Sequence, residues 1–165
     1  MRTGSAKPIA IGGLLAALAM VIMCLGGLIP IATYVCPVMC ILLGQVVLRL
    51  CGQRTAWAWY GAVSILSVLL APDKEAAAIY LGLGYYPIIK RWMDKLPLRW
   101  LWKEVYFNTT IICLYAALIY LLGLDALAKE FSGIGLFGLG VILLLGNATF
   151  LLLDRLLNRT WRRYG

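Results

Sequence analysis

Apolar residues in this chain gather in long runs, and short charged clusters separate them. Read from the N-terminus, the runs predict six helices over residues 8–29, 31–48, 55–71, 73–89, 105–124 and 131–153. The first, Pro8 to Ile29, carries no charge over 22 residues. At 1.5 Å rise per residue it matches the roughly 30 Å hydrocarbon core of a bilayer. Pro30 ends it. In the second run Pro37, which lacks a backbone donor, either kinks the helix or marks its start. The third opens on Trp57, Trp59 and Tyr60, an aromatic cluster of the kind found at membrane interfaces. Ala71-Pro72-Asp73-Lys74-Glu75 then reads as a helix start, since early proline costs little and acidic side chains suit the positive dipole end. From Ala76 to Ile89 only 14 uncharged residues follow, and Gly82, Gly84 and Pro87 leave open whether this helix runs straight or breaks. Residues 90–104 are the most polar stretch. Trp92, Trp100 and Trp102 stand there among basic residues, which predicts a segment lying at headgroup level.

Composition agrees with the pattern. Of the 165 residues, 63% are hydrophobic and 13% charged, and the mean hydropathy is +0.90. A soluble domain carries about 25% charged residues. The expectation is an all-α integral membrane protein, a single domain (1–165) forming a compact bundle of six transmembrane helices. The 15 basic residues test the count of crossings. With six, 13 of them fall on one side, and only Lys74 and Lys129 on the other. That asymmetry places both termini in the cytoplasm; the expected location is the cell membrane, multi-pass and bacterial. Omitting the fourth crossing would destroy it. The net charge of +8 follows from this topology, so no nucleic-acid partner is expected. Ala17-Leu18-Ala19 resembles a signal-peptide cleavage motif, but the apolar run is too long and continues past it.

Candidate chemistry is sparse. The absence of histidine excludes Ser–His and Cys–His pairs. Five cysteines form no even framework. Cys36 and Cys40 share a helix face, but nothing completes a metal spacing, so the cysteines read as apolar fillers and no metal or cofactor is expected. Gly133-Ile134-Gly135-Leu136-Phe137-Gly138 matches G-x-G-x-x-G without a preceding strand, and its glycines suit helix packing instead. Sequons beginning at Asn108, Asn147 and Asn158 read as chance matches. The amides of Asn108 and Asn147 lie at similar depth in the last two helices, which predicts an interhelical hydrogen bond rather than part of a transport path.

Two sets remain. Ala6, Ala10, Gly13 and Ala17 follow each other at three- and four-residue spacing, with Gly12 and Ala16 beside them. Small residues so arranged let another helix approach closely in lipid, so Ala10, Gly12, Gly13, Ala16 and Ala17 form the predicted partner-docking face. On the outer side Tyr34, Asp73, Lys74, Glu75, Tyr80, Tyr120, Asp125, Lys129 and Glu130 converge from three connections. From these, Tyr34, Glu75, Tyr80, Tyr120, Asp125 and Lys129 are the candidate substrate-binding residues. Each also fits the bland account that loops are polar and interfaces favour tyrosine.

Six short spans, inward termini and a first helix with alanine and glycine at four-residue spacing resemble the substrate-binding membrane subunit (S component) of energy-coupling factor transporters. In that family an alanine-x-x-x-alanine face on helix one docks on a membrane coupling subunit. The matching positions are Gly13 and Ala17, preceded by Ala6 and Ala10, with Gly13 standing where the motif has alanine. The resemblance implies a non-enzymatic subunit that captures a vitamin-like micronutrient in its outer half, capped by the connection between helices one and two. Its partners would be the coupling subunit and a pair of ATPases, since the chain has no G-x-x-x-x-G-K-[ST] loop of its own. The basic segment 90–104 would rest on an anionic inner leaflet. The alternative is a six-span scaffold of the cell envelope that transports nothing.

Overall fold

A computed structural model describes residues 6–26, 32–122, 140–141 and 143–159. The described residues are all-helical: α1 (Ala6–Gly26), α2 (Ala32–Cys51), α3 (Gln53–Leu70), α4 (Lys74–Leu83), α5 (Tyr86–Met93), α6 (Arg99–Leu122) and α7 (143–159). They fall into two compact units, Met1–Lys95 and Leu96–Gly165.

In the first unit α2 is the central helix, packed against α1, α3, α4 and α5. Its register with each neighbour can be read from side-chain contacts. Antiparallel to α1, it places Cys40 Sγ on the Ala19 carbonyl (3.5 Å) and Cys51 Sγ on the Pro8 carbonyl (3.2 Å). Parallel to α4, it sets Thr33 beside Asp73 and Tyr34 beside Glu75. Gly44 admits α3, since a Cβ there would stand 3.0 Å from the Trp59 ring. Pro37 lies inside α2, fully buried, and does not begin it. It stands at the sixth residue of the helix, where it removes only one backbone donor.

The fourth predicted helix, 73–89, is not continuous. It ends at Leu83, turns through Gly84 and Tyr85, and resumes as α5 through Met93. Gly84 N–H closes α4 on the Tyr80 carbonyl (2.7 Å), and Tyr60 of α3 donates its hydroxyl to the Leu81 carbonyl (2.7 Å). A carbonyl near the helix end is thus satisfied by a side chain from a neighbour. The polar stretch 90–104 is correspondingly divided: its start belongs to α5 and its end to α6, which begins at Arg99 rather than 105.

In the second unit α6 and α7 run antiparallel. Lys103 pairs with Asp154, Phe107 stacks on Phe150 (ring centroids 4.8 Å apart), and Asn108 meets Asn147. Helix α7 continues to residue 159, beyond the expected end at 153, and the start of that predicted helix lies outside the described residues.

Among the described residues two helices are long and apolar enough to cross a membrane, over Pro8–Gly26 and Thr33–Cys51. Helices α4 and α5 have 10 and 8 residues.

Candidate functional site

The end of the first unit where α2 and α4 begin is built around Asp73. Its Oδ1 accepts from the backbone N–H of Glu75 (3.0 Å) and Ala76 (3.1 Å), capping α4. Its Oδ2 accepts from Thr33 Oγ1 at 2.6 Å, tying the start of α4 to the start of α2. Lys74 reaches back, with Nζ 2.9 Å from the Val68 carbonyl and 3.0 Å from that of Ala71, and so satisfies the end of α3. Tyr34 donates to Glu75 Oε1 at 3.2 Å. The sequence reading brings Tyr34 and Glu75 together as ligand contacts; in the structure they bond to each other. Asp125 and Lys129 lie outside the described residues, as does the side chain of Tyr120.

Tyr80 is elsewhere. It is fully buried and does not join the cluster around Asp73. Its ring lies over Gly84, with Cε2 and Cζ 3.0 Å from where a Cβ would stand, so the hydroxyl end is directed at the α4–α5 break. The reason is steric: only a residue without a side chain at 84 leaves room for the ring. The same added Cβ would also stand 2.5 Å from the Tyr80 carbonyl oxygen. Around the break Trp57 and Tyr85 lie near-parallel (centroids 6.3 Å, 20°), and Tyr60 meets Tyr85 edge-on at 5.6 Å. Trp59 packs on Gly44 of α2, and the neighbouring Gln45 is buried.

This level is polar as well as aromatic. Tyr80 OH and Trp59 Nε1 are buried and find no hydrogen-bond partner among the described residues. A buried donor left unsatisfied costs about 1–3 kcal/mol. The break stands roughly 16 Å from Asp73 along α4 at 1.5 Å per residue. Lys90, on the far side of it, is 2% exposed and holds its ammonium 5.6 Å from the Tyr86 ring centroid. Trp59, Tyr60 and Gly84 have no place in the sequence-derived site. Their one signal is a buried-type polar residue, Gln45, inside an apolar run.

The predicted docking face divides in two. Gly12 is buried, 3.8 Å from Thr55 Cγ2 by its notional Cβ, and Ala16 is half-buried, so these two pack within the unit. The correction follows from the helical period: Gly12, Ala19, Met23 and Gly26 form the inward stripe of α1. Ala10, Gly13 and Ala17 are exposed, and nothing lies within 4 Å of a Cβ at Gly13.

In the second unit the two asparagines exchange a pair of hydrogen bonds, each amide nitrogen 3.1 Å from the other's oxygen. Each also donates to the carbonyl four residues earlier, Glu104 and Leu143. Lys103 contacts both oxygens of Asp154 at 3.1 Å, and Asn158 adds a bond of 3.3 Å. Lys90 and Lys103 are therefore buried rather than spread over an interface, Lys103 because its counter-charge is on the neighbouring helix. Arg54, Lys95 and Arg99 remain exposed, as do Trp92, Trp100 and Trp102. Burial raises the pKa of Glu104, whose Oε1 finds no partner among the described residues. Among the described residues no group of three His, Cys, Asp or Glu could hold a metal.

Comparison with protein-family models, with curated proteins and with solved structures finds no match to this chain.

Proposed function

We propose that this is a six-span membrane protein with cytoplasmic termini, the substrate-capturing subunit of an uptake transporter of the energy-coupling factor type. The observation that carries the docking half of this reading is the exposed Ala10–Gly13–Ala17 stripe on an α1 whose opposite face is already packed. The membrane half is supported by the surroundings of that stripe. Ile9, Leu14, Leu18, Val21 and Leu25 are all exposed, with Leu14 at 73%. An apolar surface of this extent suits lipid or a partner rather than water. The short α4 and α5 together supply one crossing, as broken helices do where they line protein or a cavity. The subunit performs no chemistry of its own. It binds ligand, docks on a coupling subunit through α1, and relies on separate ATPases.

One observation favours the scaffold reading. Thr33, Tyr34, Asp73, Lys74 and Glu75 are engaged with one another and with helix ends, so the outer polar cluster serves architecture. Under the transporter reading the ligand must then sit elsewhere. Co-purification of the natively expressed protein in mild detergent, followed by mass spectrometry, separates the two. A coupling subunit with an ATPase pair supports the transporter. Envelope-assembly proteins without an ATPase support the scaffold.

A further inference from the structure

We infer that the α4–α5 break holds a binding site for a small, flat molecule that offers hydrogen-bond acceptors and carries no positive charge. The inference deepens the transporter reading, and rests on it only in supposing that the chain binds a small molecule. Three independent features meet at this level. The first is the break itself, fixed by Gly84 and by the Tyr60 hydroxyl on the Leu81 carbonyl. Discontinuous helices inside membrane bundles are where transport proteins place substrate sites, near mid-depth. The second is the pair of donors, Tyr80 OH and Trp59 Nε1, each at least nine-tenths buried and without a hydrogen-bond partner among the described residues. They come from α4 and α3. The third is the ring set of Trp57, Tyr60 and Tyr85, which offers flat apolar contact.

The donors define the ligand's chemistry. An indole N–H only donates, and a phenol donates readily, so a carbonyl, ring nitrogen or carboxylate is the complementary group. A cation is disfavoured because an ammonium only donates and would meet an indole N–H that also only donates. Few polar groups among aromatic walls is the ordinary composition of a small-molecule site.

Three ring probes of one shape and different charge test this: benzamide, benzoate and benzylamine. Melting of the purified full chain in detergent is followed with each, for wild type, Tyr80→Phe and Trp59→Phe. Tyr80→Phe removes only the hydroxyl, and Trp59→Phe serves if that variant fails to fold. The expected result is a rise in Tm of about 2–4 °C for wild type with saturating benzamide. No rise is expected with benzylamine, and either variant should lose most of the benzamide effect. The site is overturned if benzamide leaves wild type unchanged, if benzylamine stabilises it equally, or if both variants respond like wild type. In the last case small-molecule binding stands and only its placement fails. Loss of the transporter reading would instead show in the co-purified partners.

Discussion

A single methyl group distinguishes two glycines of the first unit. At Gly84 it would stand 2.5 Å from the Tyr80 carbonyl oxygen, which is backbone and cannot swing aside. Gly84→Ala is expected to cost about 1–3 kcal/mol, read as a lowered Tm in detergent. At Gly13 the methyl meets nothing within 4 Å, so Gly13→Ala should hold or raise Tm, by up to about 1 kcal/mol from helix propensity. In the second unit Asp154→Asn removes the ion pair made by the buried Lys103 ammonium, and about 3 kcal/mol of destabilisation is expected. Replacing both partners by leucine and methionine should cost much less. Glu104 gives a pH dependence. Burial raises its folded pKa above the ordinary 4.5, so folding favours the protonated form. Its contribution is full below that value and is lost as pH rises through the raised one. Glu104→Gln should therefore stabilise the protein near neutral pH and flatten the decline of Tm with pH above about 4.5. A variant with an unchanged pH profile would contradict this.

Among the elements, the turn Ala71–Glu75 joins three helices, α2 and α4 through the Asp73 carboxylate and α3 through the Lys74 ammonium. Asp73→Ala removes the α4 cap and the bond to Thr33 together, with an expected loss of about 1–2 kcal/mol in thermal unfolding. The helix start was legible from Pro72-Asp73-Lys74-Glu75, read as early proline and acidic residues in the first turn; that Asp73 stands just outside the helix and caps it was not. The Asn108–Asn147 contact was equally legible from two amides at matching depth. The position of the α4–α5 break was not. Glycines at 82 and 84 and Pro87 announced weakness over six residues, while the break is fixed at Gly84 by the Tyr80 ring four residues earlier and by Tyr60 of α3, a contact that belongs to tertiary packing. Burial of Lys103 was hidden for the same reason, since Asp154 lies 51 residues away. The two faces of α1 were hidden too: small residues occur on both, and only the neighbours decide which is covered.

On the scale of the whole molecule, the charge asymmetry and the apolar exterior of α1 and α2 carry the membrane reading. Six crossings require the residues around Lys95 and around Asp125 to lie on opposite sides. Single cysteines introduced at these two positions of a cysteine-free variant should then label from opposite faces in intact cells. The central claim is that α1 docks on a transporter partner, and one comparison tests it most directly. Wild type and the doubly substituted Gly13→Leu, Ala17→Leu protein are purified in parallel from native expression, and the retained proteins are identified by mass spectrometry. Both positions are exposed, so the variant should fold with a Tm near that of wild type. The account predicts that wild type retains a membrane coupling subunit and an ATPase pair, and that the variant loses them. Retention of the same partners by a folded variant, or no ATPase with wild type, would contradict it.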